Sequence, residues 1–252
     1  MKKVRTILYL LICVASLSWG QTQVIAHRGF WKTEGSAQNS LAALKKAHEI
    51  GVYGSEFDVW LTADGIPIVN HDASIFGFDI ETSTYDQLMT GTLANGEKIP
   101  TVDAYLALGK QLEGMQLVLE IKSHKRVVNE DRLVRLCVEL VQKYELEDRV
   151  DYIAFSMNVC KELKKLAPEA TVVYLNGDVS PQDLKEIGLT GLDYNHKVLT
   201  DNPTWVAKAK GIGLTTNVWT VNEEKPMQGF IRQGIDFITT DEPELLLKVL
   251  KK

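Results

Sequence analysis

A closed barrel of eight alternating strands and helices, the TIM or (β/α)8 type, is the α/β fold that this 252-residue sequence predicts. Three observations point to it. Eight strand-like runs begin near positions 24, 55, 117, 150, 170, 191, 214 and 237, and nearly all are followed by a run with helical periodicity. Together they occupy about 230 residues, close to the roughly 250 of a typical barrel. Polar residues gather where the strands end: His27, Arg28, Glu56, Asp58, Glu120, Lys122, Ser156, Trp219 and Asp241. An open doubly wound sheet is the alternative, because a count of units does not prove closure.

The chain opens with Lys2, Lys3 and Arg5, an apolar run from Ile7 to Leu17, and then Ser18-Trp19-Gly20. A basic head, a short apolar centre and small exit residues read as a signal peptide over residues 1–20, cleaved near Gly20, and hence as a secreted or periplasmic protein. The run is short for a membrane span. A lipid anchor on Cys13 is disfavoured by Ile12, which sits where such signals want a small residue. Residues 21–252 form one domain.

Val24 to Ala26 is the first strand and ends in His27-Arg28-Gly29. Leu41, Leu44, Ala47 and His48 recur at helical spacing, so residues 40–50 form a helix, with Asn39 as its cap and Gly51 as its stop. Residues 54–61 and 66–71 are extended on either side of Ala63-Asp64-Gly65, a hairpin signal. Residues 73–112 are less regular, with short helices at 86–89 and 101–109. They read as a small insertion after the second strand, lying over the site. Beyond Leu117 the alternation is plain. Strands at 117–121, 150–155, 170–175, 191–194, 214–221 and 237–240 interleave with helices at 131–144, 158–166, 181–187, 203–209, 224–233 and 242–250.

A chain that is 45% hydrophobic and 24% charged can bury one large core. Without residues 1–20 it keeps 25 Lys and Arg against 33 Asp and Glu, a net charge of −8. Such a surface is a poor partner for nucleic acid or an anionic membrane. An anionic substrate then needs local positive charge, from a metal or a few placed side chains. Cys137 falls on the apolar face of Leu133, Leu136, Leu140 and Val141 and reads as a small core residue. An oxidising compartment permits a bridge between Cys137 and Cys160, but their spacing does not demand one.

Glu56 and Asp58 lie two apart on a strand, so both side chains point to one face; Glu120 and Lys122 repeat the pattern on the next parallel strand. Inward carboxylates need a compensating cation. Arg28 and Lys122 can supply it as salt-bridge partners, or a divalent metal can. Three oxygen ligands without cysteine favour Mg2+ or Ca2+ over Zn2+. His27 and His71 follow strands, and two imidazoles near neutrality make an acid–base pair. His48, His124 and His196 read as structural. Arg28 offers a phosphate a bidentate fork and Lys122 a point charge. The set describes phosphoryl chemistry on a diester.

The ordered segments His27-Arg28-Gly29, Asn39-Ser40-Leu41-Ala42-Ala43, Glu56-Phe57-Asp58-Val59, Asp64-Gly65-Ile66-Pro67-Ile68-Val69, His71-Asp72, Glu120-Ile121-Lys122, Val218-Trp219-Thr220-Val221-Asn222 and Thr239-Thr240-Asp241-Glu242-Pro243 resemble the glycerophosphodiester phosphodiesterase family over the whole mature chain. The resemblance implies a TIM barrel, with one Ca2+ or Mg2+ ion on Glu56, Asp58 and Glu120. It implies His27 and His71 as the acid–base pair, and Arg28 and Lys122 on the phosphate. The reaction it implies is hydrolysis of a small glycerophosphodiester to glycerol 3-phosphate and an alcohol. Trp219 would wall the pocket, and the insertion would cover the glycerol end. Phe155 reads as core, and Leu175 and Tyr194 are possible further lining. One departure stands out. Where the family has Pro-Glu-Asn, this chain has Ala37-Gln38-Asn39 in a loop about two residues longer. Gln38 keeps an acceptor oxygen without the charge, and Glu34 is close enough in sequence to replace it. Two rival readings remain. One is a lysophospholipase D-like diesterase using Ile75-Phe76-Gly77-Phe78 as an acyl ramp. The other is a barrel that binds phosphodiesters without turning them over.

Overall fold

The computed structural model describes residues 21–251. The signal peptide expected over residues 1–20, and its cleavage near Gly20, lie outside the described residues. In chain order the elements are β1 (Gln23–Ala26), α1 (Leu41–Glu49), β2 (Gly54–Leu61), β3 (Pro67–Val69), β4 (Ser74–Ile75), β5 (Phe78–Asp79), α2 (Tyr85–Leu88), α3 (Val102–Gln111) and β6 (Gln116–Ile121). They continue as α4 (Val127–Lys143), β7 (Val150–Ala154), α5 (Met157–Leu166), β8 (Val172–Tyr174), α6 (Pro181–Ile187), β9 (Gly191–Asn195) and α7 (His196–Asp201). The last five are α8 (Trp205–Gly211), β10 (Thr215–Trp219), α9 (Glu224–Arg232), β11 (Phe237–Thr240) and α10 (Pro243–Leu250).

All eight expected parallel strands form, and the ring closes: β1 pairs in parallel with both β2 and β11. Closure excludes the open sheet and leaves the parallel ring without an unpaired edge. The period-two pleat sorts its side chains. On β6, Leu117 and Leu119 face outward into the main core beneath the helices, while Val118 joins Ile25, Ile153, Val173 and Leu175 in a separate cluster inside the ring. Glu120, two residues past Val118, therefore also points inward. β2 is buried at every position, as a strand covered on both faces must be.

Three local expectations are corrected. The cap of α1 is Ser40, whose Oγ accepts the Ala43 N–H at 3.0 Å. Asn39 instead stands at φ +60° and turns its amide toward Asp58. The helix Val102–Gln111, capped by Thr101, leads from the β2–β3 hairpin into β6, so it is the crossover helix of a barrel unit and not part of an insertion. Residues 73–100 make the insertion proper. They fold around a small core of their own, in which Ile80, Leu88 and Ile99 pack on Trp60 and Ile68. Finally, α7 was not expected; Asn195 caps it. Cys137 and Cys160 are both free and buried.

Gly29 fixes the turn after β1. It stands at φ +76°, and a Cβ there would lie 2.6 Å from the Ala43 Cβ on α1. Gly29→Ala combines left-handed strain with a collision that α1 cannot yield to cheaply. Its expected cost is about 3 kcal/mol, read as a lowered Tm in thermal unfolding; an unchanged Tm would show that the turn relaxes freely.

Candidate active site

The C-terminal ends of the strands bring together nearly all the residues singled out from the sequence. A cavity of about 140 Å³ opens there, lined on its polar side by His27, Arg28, Glu56, His71, Glu120 and Lys122. Ile153, Phe155, Leu175 and Trp219 form its apolar wall, and Asp193, Thr220 and Thr239 complete it. Trp219 is where it was expected. Phe155, read as core, meets Trp219 edge to face at 5.5 Å and lines the cavity with it. Leu175 lines it too. Tyr194 does not: it is buried in the outer core, its hydroxyl donating to the Val179 carbonyl. No residue of the 73–100 insertion lines the cavity, contrary to the expected cover.

Glu56, Asp58 and Glu120 are 2%, 1% and 7% exposed, and one oxygen of each lies within 4.8 Å of the others. The register explains the meeting, since β2 and β6 pair with Asp58 opposite Glu120. Two cations face the three carboxylates. Lys122 Nζ lies 3.1 Å from Asp58 Oδ1 and 2.8 Å from Glu120 Oε1, and Arg28 Nε lies 3.7 Å from Asp58 Oδ2. Asp58 therefore has most of the compensation. Although burial works against its charge, Lys122, His71, the Asn39 amide and Arg28 hold its carboxyl below the ordinary range. Asn39 clamps Asp58 twice, donating from Nδ2 to Oδ2 at 2.8 Å and accepting the Asp58 N–H at 3.1 Å. The other two are under-compensated. Burial, then the charges of Asp58 and Glu120, push Glu56 well up; burial and Asp58 push Glu120 to about 7. Glu56 Oε1 is buried without a hydrogen-bond partner among the described residues. Three hard oxygen donors, one of them orphaned, and one negative charge in excess fit a divalent cation better than salt bridges alone.

Arg28 stands at φ +58°, and that turn aims its own backbone N–H at Glu56 Oε2, 2.8 Å away. Its guanidinium is anchored by Gln38, whose Oε1 accepts from Nη1 at 2.8 Å. Gln38 thus positions Arg28 without neutralising it. Glu34, the other candidate for the missing carboxylate, is exposed and outside the carboxylate cluster.

The two histidines are held alike. His27 Nδ1 lies 2.7 Å from Asp241 Oδ1, and His71 Nδ1 lies 2.6 Å from Asp72 Oδ1. Each carboxylate fixes the Nδ1–H tautomer and leaves Nε2 free. Burial outweighs the Asp58 charge and lowers His71 from its usual 6.5. Asp241 is itself held by Asn222 at 2.8 Å and Trp31 at 3.2 Å. Asp241 stood out as a polar strand end and, like Asp72, as part of a family segment, with no role assigned to either. Asn222 and Trp31 gave no signal of this pairing, because contacts across the barrel seam have no local pattern. His124 bridges the Lys122 carbonyl and the Leu61 N–H, a structural role as expected. Ser156 caps α5.

Against the upward push of burial, hydrogen bonding from His27 and then Asn222 and Trp31 brings the Asp241 carboxyl down to about 2. The folded value lies below the unfolded one. Its contribution, about 2 kcal/mol, is therefore complete above pH ~4 and vanishes as pH falls through ~2. Acid titration of unfolding should show a shallower loss between those limits for Asp241→Asn than for the parent chain; parallel curves would remove the assignment.

Comparison with known proteins agrees with this geometry. The profile described as the glycerophosphoryl diester phosphodiesterase family matches residues 27–245. A glycerophosphodiester phosphodiesterase of Caldanaerobacter subterraneus subsp. tengcongensis is 28% identical, over 92% of this chain and 99% of its own length. A crystal structure of a glycerophosphodiester phosphodiesterase from Parabacteroides distasonis is 52% identical and superposes with a TM-score of 0.90, covering 92% of this chain and 97% of that one. An Oleispira antarctica phosphodiesterase, solved in complex with the product sn-glycerol-3-phosphate, is 26% identical with a TM-score of 0.79, over 92% and 98% of the two chains.

Proposed function

The chain belongs to the glycerophosphoryl diester phosphodiesterase family, and on that premise we propose that it hydrolyses deacylated glycerophosphodiesters to glycerol 3-phosphate and an alcohol, with His27 and His71 moving the protons. It is an enzyme, a glycerophosphodiester phosphodiesterase. The observation that carries the mechanism is the pair of imidazoles on one cavity, each with Nδ1 on a carboxylate and Nε2 free.

In this reading Arg28 and Lys122 bind the phosphate oxygens and orient the diester between the two rings. One Nε2 takes the proton of the attacking oxygen, and the other ring, protonated, gives one to the departing alkoxide. Asp241 and Asp72 keep the rings in register and favour each imidazolium as it forms. Glu56, Asp58 and Glu120 would hold one Ca2+ or Mg2+ ion, which supplies Lewis-acid neutralisation of the phosphoryl oxygens. Ile153, Phe155, Leu175 and Trp219 keep water from the buried side of the substrate. The product named in the Oleispira antarctica complex supports glycerol 3-phosphate as the product here. The signal pattern of residues 1–20 supports work outside the cytoplasm, on a small soluble diester; no described helix is long and apolar enough to cross a membrane.

A lysophospholipase D-like preference gains nothing from residues 75–78. None lines the cavity, and the Phe76 ring lies against Gly91, filling the place a Cβ would take. Product analysis tests the reaction: glycerophosphocholine should yield glycerol 3-phosphate and choline. Phosphocholine and glycerol instead would mean cleavage of the other ester bond and overturn the proposal.

A further inference from the structure

The active-site cavity contains one carboxyl side chain that the mechanism does not use. Asp193, on β9, is 1% exposed, and its Oδ1 has no hydrogen-bond partner among the described residues. It lines the cavity at its inner end, and also a second space of about 130 Å³ farther into the barrel. Asn217, its register partner on β10, hydrogen-bonds the carboxyl while also donating to Thr239 Oγ1 at 2.9 Å and accepting the Val218 N–H at 2.8 Å, so it leaves Oδ1 unpaired. A buried carboxyl oxygen without a donor is costly, and natural sites keep such an atom where a ligand or water completes it.

The arrangement around Asp193 states what that ligand is. The Trp219 indole N–H donates to the Asp193 backbone carbonyl at 2.9 Å, which locks the aromatic wall to the carboxyl as one unit. Phe155 closes the same wall edge to face. An apolar face beside a single deep acceptor suits a short chain that carries C–H on one side and a hydroxyl at its end. Arg28, Lys122 and the two imidazoles line the same cavity, and Glu120 is near enough for its charge to act on Asp193. Resting on the diesterase reading above, we propose that Asp193 hydrogen-bonds a hydroxyl of the substrate's glycerol moiety and so selects hydroxylated diesters over alkyl ones.

The test compares glycerophosphoethanolamine with propyl phosphoethanolamine, the same diester without the two free hydroxyls, in the presence of Ca2+ or Mg2+. The parent enzyme should favour the hydroxylated diester in kcat/KM by about 10–100-fold, the range expected when a buried polar group is left unpaired by the analogue. Asp193→Leu, which is close in size and leaves no orphaned oxygen, should shrink that ratio at least tenfold, chiefly through the hydroxylated substrate. Asp193→Asn, which keeps an acceptor, should fall between. Equal losses on both diesters in either folded variant would mean that Asp193 acts on the carboxylate cluster or the fold, and would overturn the proposal. A parent enzyme that cleaves both diesters equally also overturns it while leaving the diesterase reading intact. A parent enzyme that cleaves neither removes the diesterase reading, and the proposal with it. Isothermal titration of the parent and Asp193→Asn with glycerol 3-phosphate and with propyl phosphate gives the same comparison without turnover.

Discussion

His27→Ala and His71→Ala should each lower kcat by about 10²–10⁴-fold, with Tm close to that of the parent for His71→Ala and lowered for His27→Ala, which also releases Asp241. The size follows from what is removed. Each ring presents an imidazole nitrogen to the cavity, and each is oriented by a carboxylate within 2.7 Å. The difference in stability follows from position: the His71 side chain is 39% exposed, whereas His27 and Asp241 are each 17% exposed and hold one another. Because one proton transfer is of little use without the other, the double variant should lose little more than the worse single one. Steady-state rates on glycerophosphocholine across pH 5–9 decide the matter. Full turnover by both single variants would return His27 and His71 to the structural reading and assign the proton transfers to other groups.

Exhaustive chelation should take turnover to background and lower Tm, and added Ca2+ or Mg2+ should restore both. Without a dication, three buried carboxylates share two cationic side chains, and Glu56 keeps an unpaired buried oxygen. A cation at a hundred times its Kd adds about 2.7 kcal/mol to the folded state, several degrees in Tm for a chain of this size. Glu120→Gln separates this from mere screening. Its metal-free form should be more stable than the metal-free parent, because one repulsion is gone, yet its Tm should rise less with Ca2+ or Mg2+. Affinity should also weaken as pH drops below about 7, where Glu120 takes up a proton. A Tm indifferent to chelator and cation alike would favour Arg28 and Lys122 as the sole counter-charges.

What could be read from the chain alone was what repeats or alternates. The eight strands, the inward pairing of Glu56 with Asp58 and of Glu120 with Lys122, and the hairpin at Asp64-Gly65 all follow from period or turn chemistry. The misread places share another cause. Asn39 has the chemistry of a helix cap, and Ser40 beside it does too; the choice between them is made by Asp58, nineteen residues away, which needs the Asn39 amide. Helix Val102–Gln111 looked like insertion because the irregular stretch before it hides the barrel rhythm. Phe155 and Tyr194 are both aromatic and both on strands, and only closure decides that one faces the cavity and the other the helices. Asp193 carries no motif at all.

The pairing of His27 with Asp241 crosses the seam where the first strand meets the last. The two residues are 214 positions apart, so the Nδ1 contact forms only once β11 has docked beside β1. A chain halted before Asp241 would own both imidazoles and Glu56, Asp58 and Glu120, yet leave the His27 ring with nothing on Nδ1. If His27 moves a proton as proposed, the full rate requires the cylinder to be zipped shut.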